Sequence, residues 1–132
     1  MKIETVVVRI NALVFVLYGI AFIVSPEPLS RWATGTAPDM AAGVTDLRAT
    51  YGGMPLAVGV LLFLLASDPA QVRTGLQAVV LIMIGMAAGR LTGMLVDGYG
   101  NGVMPIYFAF ELGMAVFGTW LLVRRRHPLD AG

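Results

Sequence analysis

VRTGLQAVVLIMIGMAAGRLTGMLV (Val72–Val96) runs for 25 residues, and beyond its first turn it carries one ionisable side chain, Arg90. At about 1.5 Å per residue, a helix of that length clears a hydrocarbon core about 30 Å thick. No strict alternation of apolar and polar residues supports a barrel strand, and backbone inside a bilayer must satisfy its own hydrogen bonds. The stretch therefore predicts a membrane-spanning helix with a guanidinium inside it.

The rest of the chain extends this reading. Of 132 residues, 58% are hydrophobic and 13% charged, whereas soluble domains average about 45–50% apolar and about 25% charged. Four apolar segments, at about residues 5–24, 47–66, 72–96 and 103–123, predict an all-α, integral membrane four-helix antiparallel bundle. At this length, residues 1–132 are expected to form a single domain, with no room for a separate soluble enzyme. Lys2 ahead of the first apolar run imitates a secretory signal, but Arg9 and Asn11 interrupt it and SPEPLS follows it, so a retained helix is expected.

The first connection, residues 25–39, reads as a loop, with Pro26, Pro28 and Pro38 as turn signals and Trp32 suited to the headgroup level. Asp39 is the expected N-cap of the second helix. SDPAQ and DGYGNG read as short turns. Lys2, Arg73, Arg124, Arg125 and Arg126 gather on one side, against Arg31 and the borderline Arg48 on the other. The positive-inside rule then predicts both termini in the cytoplasm, with the loops around Trp32 and Tyr99 outside. The expected location is a membrane with one face on the cytoplasm.

Several chemistries are excluded or disfavoured. Cysteine is absent, and the one histidine, His127, lies in the basic tail, so neither a metal site nor a cofactor is expected. A net charge of +1 gives no reason to expect nucleic acid. The eight methionines read as apolar filler.

What remains is a set of polar residues within or beside the spans. Each ionisable group at a helix centre costs about 2.5–3.5 kcal/mol on insertion scales, so a buried one calls for a named partner. Counting from the helix ends at 1.5 Å per residue, Arg90 lies about 10 Å and Glu111 about 12 Å inside the same face, level with each other on consecutive helices. Asp97 shares a stripe with Arg90, Tyr107 shares one with Glu111, and Arg48 and Tyr51 lie near the same face on the second helix. The predicted ligand-binding cluster is therefore Arg48, Tyr51, Arg90, Asp97, Tyr107 and Glu111. Arg9 belongs to the opposite end, where its side chain snorkels. Gly85, Gly89 and Gly93 form a small-residue stripe suited to packing within the fold or to a homo-oligomer.

TDLRATYGGMPLAVGV (residues 45–60), GRLTGMLVDG (89–98) and FELGMAVFG (110–118) resemble, in that order, an uncharacterised bacterial four-helix integral membrane family known only as a domain of unknown function. The resemblance runs from about residue 8 to 124. It rests on L-R-x-x-Y-G-G at Arg48, Tyr51, Gly52 and Gly53, G-R-x-x-G at Gly89, Arg90 and Gly93, and F-E at Phe110 and Glu111. In layout the chain is also distantly similar to DoxX-like small membrane proteins. The resemblance implies the architecture and the choice of polar residues, and implies no activity.

Three functions fit these residues. One is a module that binds a lipid or small amphiphile, or serves as an accessory membrane subunit, with the arginines as an anion clamp. Another is an intramembrane acid–base enzyme, an isomerase or hydratase, with Glu111 as its catalytic group beside Arg90. The last is a small proton-coupled exporter, which a glutamate paired at the same depth disfavours.

Overall fold

The computed structural model describes residues 2–98 and 100–124; Tyr99, Arg125, Arg126 and His127 lie outside them. The described residues are almost wholly helical: α1 (Ile3–Val24), α2 (Pro26–Thr34), α3 (Ala41–Leu47), a π-helical turn (Arg48–Gly53), α4 (Met54–Ser67), α5 (Val72–Val96) and α6 (Val103–Arg124). Because α3, the π turn and α4 are continuous, four segments are long and apolar enough to cross a membrane: Ile3–Val24, Ala41–Ser67, Val72–Val96 and Val103–Arg124. The chain is a multi-pass membrane protein with an all-α helical bundle.

Two features depart from the expected pattern. Residues 26–34, expected as loop, form α2. Pro26 and Pro28 lie in its first turn, where a missing N–H costs nothing, and Gly35 ends it at φ 84°, its N–H donating to Arg31 O at 2.9 Å. The prolines thus start a helix rather than prevent one. Secondly, Met40 and not Asp39 is the N-cap of α3: its backbone is extended, and its carbonyl accepts from the Val44 N–H at 3.1 Å.

The π turn has a local cause. Pro55 can donate no hydrogen bond to Tyr51 O, and its ring crowds that carbonyl; one widened turn relieves both, with the Met54 N–H reaching back to Ala49 O. Between α4 and α5, the Gln71 amide and the Ala70 N–H each donate to Asp68 at 2.9 Å and hold its carboxyl below the usual carboxylate range. That contribution is complete at neutral pH and fades as pH falls through the lowered value.

The helices associate chiefly as two pairs, α1 with α4 and α5 with α6. Glycines let the first pair touch backbone to backbone: a methyl group on Gly59 would stand 2.7 Å from Ala12 O, and one on Gly19 would stand 2.6 Å from Leu56 N. Val8, Leu62, Leu76, Val79 and Leu121 are the largest fully buried side chains, and they bring all four spans together in the half of the bundle that holds Lys2 and Arg124. Toward the other end burial thins, leaving Tyr18 and Tyr51 exposed. The stripe of Gly85, Gly89 and Gly93 packs against no other helix among the described residues.

Candidate functional site

The short α5–α6 link folds the two helices back on each other and brings Arg90 to Glu111. Arg90 Nε donates to both carboxylate oxygens of Glu111, at 2.8 and 2.9 Å. The glutamate side chain is 4% exposed and the arginine 26%, so the acid is sealed between helices while the guanidinium reaches their edge. Met104, Tyr107 and Glu111 stand at i, i+3 and i+7 on one stripe of α6, and all three touch Arg90. Its Nη1 donates to Met104 Sδ at 3.4 Å, and its Cζ lies 4.8 Å from the centre of the Tyr107 ring. Among the described residues Nη2 has no hydrogen-bond partner.

The surroundings are aromatic and come from α1, the π turn, α6 and α2. Trp32 of α2 meets Tyr107 edge-on, with ring centres 6.5 Å apart, and Asn101 donates to Ala33 O at 3.1 Å, which ties α2 to the α5–α6 link. On the α1–α4 side, Tyr18, Phe22 and Tyr51 form a run with centres 4.7 and 5.6 Å apart. Tyr18 is within electrostatic reach of Tyr107, Tyr51 and Arg90.

Of the six residues singled out in the sequence, the structure brings Arg90, Glu111 and Tyr107 into contact, while Tyr51 packs on Phe22 of α1. Arg48 has another partner: its Nη1 donates to Ile23 O, one of the carbonyls that the end of α1 leaves without a helical donor. Asp97 caps the end of α5 through its own N–H, at 2.7 Å from Gly93 O, and forms no ion pair with Arg90.

Tyr18, Met104 and Glu4 were not foreseen. Tyr18 lies about 9 Å from the end of α1 by helical rise, the same depth that grouped Arg90 with Glu111, so the depth count alone was enough to find it. Met104 reads as filler because thioethers are weak acceptors. Glu4 is buried in the first turn of α1 and pairs with Arg124 Nη2 at 3.7 Å, Arg124 lying over the Trp120 ring at 4.5 Å. Asn11, also buried, donates its amide to Val7 O at 2.9 Å. Among the described residues no three His, Asp or Glu side chains gather where they could hold a metal ion.

The arrangement offers an anchored cation with a terminal donor left over, set among aromatic rings at a membrane-helix edge. It can hold an anionic oxygen. No curated protein and no solved structure matches the chain. A family model does: it matches residues 3–122, and the chain belongs to the family described as Domain of unknown function (DUF4345).

Proposed function

We propose that this protein is a non-enzymatic membrane module that holds an amphiphile by its anionic headgroup, with Arg90 as the contact. The observation that carries this reading is the way Arg90 is paired. Glu111 is engaged through Nε alone, so the pair fixes the guanidinium and neutralises much of its burial cost without using Nη2. Tyr18, Tyr51, Tyr107 and Trp32 supply amphipathic walls suited to the level where a headgroup meets its chain. The acid–base and exporter readings have less support, because Glu111 must first leave Arg90 before it can carry a proton.

We place the protein in a bacterial inner membrane with both termini in the cytoplasm. Lys2, Arg73 and Arg124 at the terminal end, against Arg31 and Arg48 at the Arg90 end, support that orientation.

Trp32 provides the test. In a Trp120→Phe background it is the remaining tryptophan. A brominated fatty acid should quench it saturably and at least about tenfold more tightly than the matching brominated alcohol, the ratio expected of a charge-assisted hydrogen bond. The preference should vanish when Arg90→Met is combined with Glu111→Leu. Equal quenching by acid and alcohol, or a preference that survives the double substitution, would overturn the reading.

A further inference from the structure

We propose a second anion site at the opposite end of the bundle, a cavity that takes a phosphate-bearing anion and is shaped for the headgroup of an anionic phospholipid. The cavity has a volume of about 490 Å³ and lies among α1, α4, α5 and α6, within the roughly 300–1,000 Å³ of typical small-molecule sites. Three cations from separate stretches of chain line it: Lys2 just ahead of α1, Arg9 two turns into α1, and Arg73 at the start of α5. One carboxylate, Glu4, lines it too, but Glu4 is tied to a fourth cation, Arg124, at 3.7 Å. Among the described residues of the lining, Lys2 and Arg73 supply positive charge beyond that of the Glu4–Arg124 pair.

The helix dipoles do not account for that field. α1 and α5 begin at this end while α4 and α6 finish here, so two positive termini oppose two negative ones. Side chains supply the charge, and one of them is positioned: Arg73 Nη2 donates to Leu122 O at 3.4 Å, which holds the guanidinium toward the end of α6.

The floor decides between sources of phosphate. Beneath the cations the cavity closes on Leu76 and Leu121, 1% and 0% exposed, with Ser67 beside them at the end of α4. A free phosphate gains nothing from such a floor, whereas a phosphodiester with a glycerol and the start of an acyl chain has an apolar part to place there. Basic pockets between membrane helices recognise anionic headgroups in this way.

The experiment is native mass spectrometry of the full chain released from vesicles of phosphatidylcholine with a minor share of phosphatidylglycerol. In the Arg90→Met/Glu111→Leu background, which removes the other anion site, one phosphatidylglycerol should stay bound per chain, in preference to phosphatidylcholine. Each cation removed should weaken retention about fivefold, so Lys2→Gln with Arg73→Gln should lower it by about 25-fold. Both side chains are exposed, so the variant keeps its fold; Arg73→Lys, which preserves charge, should retain most of the lipid. Arg31→Gln, which removes a cation at the other end, should leave this retention unchanged, so a loss in the Lys2/Arg73 variant is a property of this site and not of net charge. Undiminished phosphatidylglycerol in the Lys2/Arg73 variant, or equal retention of phosphatidylcholine, would overturn the proposal. Displacement by millimolar inorganic phosphate would support the anion site and assign it to a soluble phosphate, while retention in its presence would assign it to the lipid.

Discussion

The two helix pairs of this bundle are joined by different means. α1 and α4 approach until backbone meets backbone: Gly19, Gly52 and Gly59 lie where a Cβ would stand 2.6–2.7 Å from a neighbouring atom. α5 and α6 have one such contact, Gly118, where a Cβ would stand 2.5 Å from the end of the Val80 side chain, and they add the charged link from Arg90 to Glu111. In a hydrocarbon solvent no hydrophobic effect drives helices together, so association rests on close van der Waals packing or on polar partners. Each pair relies mainly on one of these. The pair that uses charge is the one whose surface can also do chemistry, since a packed glycine seam has nothing left to offer a ligand.

The charged link should be the more expensive of the two to damage. Arg90→Leu strands a carboxylate that is 4% exposed, and removing one member of a buried pair costs about 3–5 kcal/mol. Reversible unfolding in mixed micelles should show a loss of that size. Replacing both, as Arg90→Met with Glu111→Leu, should recover most of it, because an apolar pair of similar volume is often neutral or better. A double variant as unstable as the single one would mean that the pair contributes more than the removal of its own charge burden.

The glycine seam should break at a lower cost. Gly59→Ala pushes a methyl to 2.7 Å from Ala12 O and Val16 N, which are backbone atoms of α1 and cannot rotate away. Overpacking of this kind costs about 1–3 kcal/mol, and the same unfolding measurement should find it with Arg90 untouched. A cost under about 0.5 kcal/mol, the level of an ordinary surface change, would show that α1 and α4 can slide apart, and the distinction between the pairs would weaken.

The sequence makes the charged link easier to see than the seam, for a physical reason. Charges inside a span are rare, so depth and sign were enough to match Arg90 with Glu111, now seen 2.8 Å apart. The same depth count, applied to an uncharged phenol, reaches Tyr18. In a membrane helix apolar residues face both lipid and neighbours, so they do not mark the buried side as they do in water. Arg48 illustrates the limit: its level in the bundle was legible, but its partner is the Ile23 carbonyl, and no pattern of side chains announces a backbone acceptor. The π turn before Pro55 and the helix begun by Pro26 have visible prolines, yet a proline signals both the end of one helix and the start of another.

The glycines of α5 make the smallest and most informative test. Gly85, Gly89 and Gly93 have the four-residue spacing of a packing motif, whereas the seam is formed by Gly19 on one helix and by Gly52 and Gly59, seven apart, on another. A Cβ on Gly85 or Gly89 meets nothing within 4 Å, and one on Gly93 meets only Asp97 Oδ2 at 3.9 Å. Within one chain, Gly85→Ala and Gly89→Ala should therefore leave stability unchanged or raise it by up to about 1 kcal/mol, the difference in helix propensity. Measured beside Gly59→Ala, they separate a glycine that is needed for space from one that merely fits a pattern. A loss comparable to that of Gly59→Ala would mean that a second copy packs over this stripe, and α5 would then have a backbone seam of its own.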